Sequence, residues 1–321
     1  MKKIVFLFLS IILICSYYFK NNTSQEYEVM NNELLSNNKV NNINVDSFNS
    51  IKIGDSKESV ILNMRNPSRI DYSEYNFKWY VYNEDLNKFT MVGIEDDCVV
   101  ALYSNSLDNN EIDIKLNSNK SNIRKKYTPL EYKQKGNTKY IINSDDQYDI
   151  FYIQKKYVTV FYDIHENNRV CAYQIVSKKA ESTLNGIYNK GSDELQKSFE
   201  YQLKDLINTE RIKNNLNILS YSDKATVSSR KHSEDMMIKN YFDHTNKKNK
   251  SPFDRMQDEG INYKNAGENI AAGQSSAIYA HHALMNSMGH RKNILGDYKY
   301  IGVGVVFGGY YSIYYTQNFY T

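Results

Sequence analysis

The chain has 321 residues, 41% of them apolar and 24% charged, with a formal net charge of +3. That length and balance fit about two domains with a sizeable core, so no metal or disulfide staple is needed to explain folding. Basic and acidic residues are interspersed with no basic stripe, which excludes a nucleic-acid binder.

Lys2 and Lys3 precede an apolar run over residues 4–19, which Lys20 closes. A basic segment followed by an apolar one reads as an export signal. The run is long for a cleaved signal and short for a membrane span. No Ala-x-Ala-like site follows it, so residues 1–20 read equally as signal peptide or membrane anchor. A lipoprotein reading through Cys15 meets the bulky Ile14. Each export reading leaves the rest of the chain secreted or anchored to the outer face of the cytoplasmic membrane, touching the membrane only through this segment. Residues 21–47 are polar and Asn-rich, a flexible linker.

Residues 48–180 carry an internal repeat, with copies at about 48–110 and 111–180. The first opens Ile51-Lys-Ile-Gly-Asp-Ser-Lys-Glu-Ser-Val60, the second Ile114-Lys-Leu-Asn-Ser-Asn-Lys-Ser-Asn-Ile123. Each opening is followed by strand-like runs, at 77–82, 89–94 and 98–103, then at 139–142, 148–153, 158–163 and 170–177. The reading is a strand, a short helix capped by Ser or Asn, and a β-meander, twice over. Cys98 and Cys171 sit in apolar, strand-like settings and are read either as a pair or as buried free thiols. Residues 181–196, with Gly186 and Gly191, read as a linker.

Beyond it, residues 197–321 form a second domain in which helical patterns dominate. Phe199, Leu203, Leu206, Ile207 and Ile212 make one amphipathic helix over 197–214. Ser222-Asp223 caps a second, running to about residue 241, with His232 on the Ala225–Met236 face as a hydrogen-bonded core residue. Ser251-Pro252 starts a third, and residues 276–287 are helical by pattern. The tail alternates as a β-hairpin turning at Gly308-Gly309, and Gly302 and Gly304 predict close packing of a neighbouring element.

Six motifs in this domain carry a resemblance. They are His232-Ser-Glu-Asp-Met236, Tyr241-Phe-Asp-His-Thr245, Gly267-Glu-Asn-Ile-Ala271, Met285-Asn-Ser-Met-Gly-His-Arg-Lys-Asn-Ile-Leu295, Gly302-Val-Gly304 and Tyr315-Thr-Gln-Asn-Phe319. Taken in order, they resemble the CAP superfamily (cysteine-rich secretory, antigen 5, pathogenesis-related 1), in its bacterial, cysteine-free branch. The repeat domain looks like the accessory domain often found ahead of CAP domains. The resemblance implies an α+β chain: a CAP α-β-α sandwich at 197–321 behind a tandem-repeat α+β domain at 48–180. It implies a cleft with His244 and His290 as imidazoles and Glu268 as the acid, which is a ligand set for Zn²⁺ with an open position for water. Asn269, His282 and Ser287 are further cleft positions. The departure from the family lies at Ser287, where many members carry a second Glu; His282 is read either as a substitute ligand turned into the cleft or as a surface or packing residue.

Three functions follow as expectations. One is a non-enzymatic module that binds an unidentified envelope or extracellular ligand: lipid, glycan, metal or protein. The second is a metal-dependent hydrolase or peptidase using His244, Glu268 and His290. Against it, the domain has no His-Glu-x-x-His helix, no Gly-x-Ser-x-Gly elbow and no Cys nucleophile. The third is a structural envelope protein whose Tyr-rich strands at 72–82 and 148–162 make the contacts.

Overall fold

The computed structural model describes residues 47–48, 51–106 and 114–321. The expected export segment at 1–20 and most of the linker at 21–47 lie outside the described residues.

The first half runs β1 (Ser47–Phe48), β2 (Ile51–Lys52), α1 (Lys57–Met64), β3 (Arg69–Tyr72), β4 (Lys78–Tyr82), a 3-10 turn (Leu86–Lys88), β5 (Thr90–Glu95) and β6 (Cys98–Ser104). It continues through α2 (Lys120–Lys126), β7 (Tyr132–Lys135), β8 (Thr138–Ile141), β9 (Tyr148–Ile153), β10 (Lys156–Asp163), β11 (Arg169–Ser177) and α3 (Lys178–Thr183). Both repeat openings form the same local structure. Ser56 caps α1 by accepting from Ser59 N, and Asn119 caps α2 by accepting from Ser121 N. Each cap residue then bridges the start of its copy's last strand, Ser56 to Cys98 and Asn119 to Arg169. Gly54 N donates to Val99 O and Asn117 N to Val170 O, both at 2.8 Å. The two meanders meet back to back in one antiparallel sheet of order β3-β4-β5-β6-β11-β10-β9, with β6 and β11 paired at the centre. Cys98 and Cys171 are both free thiols.

The second half contains α4 (Asp193–Lys213), β12 (Ser220–Tyr221), α5 (Asp223–Lys239), α6 (Pro252–Asp258), β13 (Ala266–Ala272), α7 (Ala277–Met285), α8 (Met288–Ile294), β14 (Tyr300–Phe307) and β15 (Ile313–Tyr320). Side-chain caps at Ser222, Ser251 and Ser276 set three helix starts, and Ser251 forms a full capping box with Asp254. The strands form a sheet of order β12-β14-β15-β13. On β14 the residues alternate. Val303 and Val305 enter the core shared with Phe199, Leu203 and Leu284 on one face. Gly302 and Gly304 meet α5 on the other. A Cβ at Gly302 would lie 2.1 Å from the Ala225 carbonyl carbon, and one at Gly304 2.1 Å from Arg230 N. The two glycines therefore let α5 lie directly on the sheet, where Ser229 and Ser233 donate to their carbonyls. The result is an α-β-α sandwich. Its hairpin turns through five residues, 308–312, rather than a two-residue Gly-Gly turn, and Gly308 N donates to Ser312 O at 2.7 Å.

The stretch expected as a linker, 181–196, is folded: it holds the end of α3 and the start of α4. The described residues form one compact unit. A single apolar cluster joins Phe77, Trp79, Phe89, Met91 and Phe161 of the large sheet to Leu206 of α4 and Ile278 of α7. Polar ties surround it. Arg69 pairs with Asp205 at 2.8 Å, Arg291 with Asp163 at 2.8 Å, and Asn286 Nδ2 donates to Tyr162 O at 2.9 Å.

Glu74 is buried in this junction, with Oε2 unbonded among the described residues. Burial, reinforced by the nearby Glu181 charge, pushes its carboxyl up from 4.5 to about 7. A raised carboxyl leaves stability intact below pH 4.5, and stability then falls as the pH climbs towards 7, because the unfolded chain ionises first. At 1.36 kcal/mol per pH unit the loss approaches about 3 kcal/mol. Glu74→Gln is therefore expected to melt above the parent at pH 8 and level with it at pH 4. Equal melting temperatures at both pH values would contradict the burial argument.

Candidate functional site

β13 is an edge strand of the sandwich sheet, and the site is assembled around its open side. The strand alternates. Glu268 and Ile270 point towards α5, where Ile270 packs with Met236, Tyr241 and Tyr314. Asn269 points the other way, beneath α8. It donates to His290 O at 3.1 Å and to Gln317 Oε1 at 3.2 Å, and accepts from Asn293 at 2.9 Å. Asn293 also donates to Glu268 O at 3.1 Å, closing the strand edge. Asn269 thus fixes the backbone of His290 rather than facing a ligand.

The Glu268 carboxylate is buried and both its oxygens are engaged. Oε2 accepts from Arg255 NH2 at 2.6 Å, and Oε1 accepts from His244 Nδ1 at 2.9 Å. With Nδ1 donating to a carboxylate, His244 is left with Nε2 as its free acceptor on a half-exposed ring. Arg255, itself buried, also donates to His244 O at 2.7 Å and Lys250 O at 3.0 Å, so one guanidinium ties the His244 loop to the strand. His232 forms the floor. Its Nε2 donates to Asp243 O at 3.0 Å and lies 3.9 Å from Glu268 Oε1. Burial drives its pKa down to about 4, so it is neutral at pH 7. As expected, it is a hydrogen-bonded core residue.

His290 approaches from α8. Burial lowers its pKa first, and the nearby His244 imidazole lowers it further. His290 Nδ1 is buried with no hydrogen-bond partner among the described residues. The cleft therefore sets the His244 imidazole on a carboxylate already paired with Arg255, with His290 close enough to feel the His244 charge.

One expected cleft position, His282, lies elsewhere. His282 is in the junction with the large sheet, stacked on Phe161 at 4.1 Å and bonded through Nε2 to Tyr103 OH at 3.1 Å. Cys171 Sγ lies 3.7 Å from its Nδ1. The helix turn that carries it faces the repeat domain, so it cannot replace a missing acid in the cleft. Ser287 is the N-cap of α8, the helix that carries His290, and makes no side-chain cap bond.

The zinc expectation also changes. Among the described residues no three His, Cys, Asp or Glu side chains are arranged to hold a metal ion. Glu268 has given one oxygen to a guanidinium and the other to His244, so the set His244, Glu268 and His290 does not fit as three ligands. Arg255, Asn293 and Gln317 were missed in the sequence. The signal for Arg255 was the acid itself, since a buried carboxylate requires a cation or several donors.

The fold and site define an α-β-α sandwich that presents a paired carboxylate and two imidazoles at an edge strand, fused to a repeat-built sheet domain. Residues 204–319 match the model of the cysteine-rich secretory protein family, CAP, and residues 53–187 match the CAP-associated N-terminal model. The chain thus carries a CAP domain, with a CAP-associated N-terminal domain ahead of it. The uncharacterized membrane protein YlbC of Bacillus subtilis (strain 168) is 28% identical over 351 residues, covering 99% of both chains. The uncharacterized protein YkwD of the same strain is 47% identical over 123 residues, 38% of this chain and 47% of YkwD. An extracellular protein containing a SCP domain from Bacillus anthracis str. Ames superposes with a TM-score of 0.73 at 25% identity, over 88% of this chain and 98% of that one. A cysteine-rich secretory protein from Staphylococcus aureus shares the fold, with a TM-score of 0.71 at 17% identity over 88% and 96%.

Proposed function

We propose that this chain is an exported cell-envelope protein whose CAP domain binds a small polar or lipid ligand through the His244–His290 cleft without turning it over. One observation carries the reading. The Glu268 side chain is only 1% exposed, and each of its oxygens already accepts a bond, from Arg255 or from His244, so a water reaches this carboxylate only if the buried pair opens. What the cleft offers an incoming group is His244 Nε2 and the buried edge of His290, which suits recognition by hydrogen bonding. The extracellular relative from Bacillus anthracis and the membrane protein YlbC support an outer location, as do the basic and apolar residues at 2–20.

Zinc titrated into the protein is expected to bind far more weakly than the roughly 10 kcal/mol of a structural zinc site. Calorimetry on the parent and on His290→Ala tests this: tight, stoichiometric binding lost in the variant would restore the metal-hydrolase reading. Protease added to intact cells that express the full chain is expected to digest it. Protection until the cells are lysed would refute the outer location.

A further inference from the structure

Next to the cleft, Phe253, Tyr263, Tyr298, Lys264, Asn265 and Asp297 line an open groove of about 540 Å³. Phe253 comes from α6, which also supplies Arg255 to the cleft. Ala266, also in the lining, precedes Glu268 by two residues on β13, or about 7 Å along the strand. The groove is thus built on the same two elements as the cleft but is a separate surface.

Its walls are aromatic and its rim is polar. Phe253 and Tyr263 stand with ring centroids 6.1 Å apart, and Tyr298 packs against Phe319 at 5.6 Å. Its frame is braced by backbone bonds. Lys264 N donates to Thr321 O at 2.6 Å, Thr321 N to Asn265 O at 2.9 Å and Lys299 N to Tyr320 O at 3.0 Å. Those bonds consume the amides that a peptide would need to add itself as a strand. The groove is too open and too polar at its rim to enclose an acyl chain. Its lining carries one cation, Lys264, and one carboxylate, Asp297, and neither makes a salt bridge among the described residues. A polyanion would meet Asp297 and a polycation Lys264, so the lining favours an uncharged ligand. A sugar ring has the matching chemistry. Its C–H face lies on the electron-rich face of an aromatic ring, and its hydroxyls both donate and accept at the edge.

We propose that this groove binds an uncharged saccharide chain, with Phe253 and Tyr298 as stacking platforms and Lys264, Asn265 and Asp297 bonding hydroxyls. The site does not rest on the reading of the cleft. The test is calorimetric titration of the full chain with two probes, the tetramer of N-acetylglucosamine and cellotetraose. Saturable binding of at least one is expected, weakened at least tenfold by Phe253→Ala and by Lys264→Ala. Phe253 is 42% exposed and Lys264 is exposed, so both variants should fold, which circular dichroism checks. His290→Ala should leave the affinity within twofold. Failure of both tetramers to bind at millimolar concentration would overturn the proposal. So would unchanged binding by Phe253→Ala, or a loss confined to His290→Ala, which would move the sugar to the cleft.

Discussion

Arg255→Ala is expected to destabilise the protein by about 3–5 kcal/mol, the usual cost of stranding one partner of a buried ion pair. The argument begins with burial: the Glu268 side chain is 1% exposed and that of Arg255 8%. Water cannot replace the guanidinium without opening the site, so the variant keeps a buried carboxylate that, among the described residues, retains one side-chain hydrogen bond, from His244. It also loses the bonds from Arg255 to His244 O and Lys250 O, which hold the loop carrying the cleft imidazole. For a chain of this size the melting temperature should fall by roughly 10 °C. Glu268→Gln in the same background removes the stranded charge and should recover part of the loss. The two changes should therefore be non-additive by more than about 1 kcal/mol in a double-mutant cycle. Additive effects, or a single-variant loss below 1 kcal/mol, would mean that Glu268 does not depend on Arg255.

Local chemistry made much of the fold legible. Ser222 and Ser251-Pro252 announced helix starts because a cap needs only its own side chain and the next three amides. Gly302 and Gly304 announced the contact with α5 because only a missing Cβ permits that approach. The paired openings at Ile51 and Ile114 announced two equivalent units, but not that their meanders would fuse into one sheet, since edge pairing between copies has no local signature. In the site, nothing in the spacing of His244, Glu268 and His290 shows that they meet; the family resemblance supplied that. Between a cleft role and a packing role for His282 the sequence could not choose, for a physical reason. The α7 sequence, Ala-Ile-Tyr-Ala-His-His-Ala-Leu-Met, is apolar nearly all round. Such a helix must be covered on more than one side. Ala277, Ala280 and Leu284 face the sandwich core, while Ile278 and His282 face the large sheet. Which side would be covered by the repeat domain could be known only once that domain's sheet was in place.

That shared helix leads to the second large effect. Phe161→Ala should cost about 3–5 kcal/mol, the range for emptying a buried aromatic site. Phe161 is fully buried on β10. It stacks on His282 at 4.1 Å and meets Tyr279 edge-on at 5.3 Å, both on α7 of the other domain. Its removal therefore takes apolar contact from both domains at once. If the cluster joining Trp79, Phe161, Leu206 and Ile278 is one core, the two halves must unfold together. The chain contains one tryptophan, Trp79, buried in the large sheet, so its fluorescence reports that half alone. Hydrogen-exchange protection of β14 and β15 reports the sandwich. In denaturant the two probes should coincide in the parent and shift by the same amount in Phe161→Ala. A Trp79 transition that moves while β14 and β15 keep their protection would show that the domains fold independently. The CAP sandwich would then not need its neighbour to cover α7.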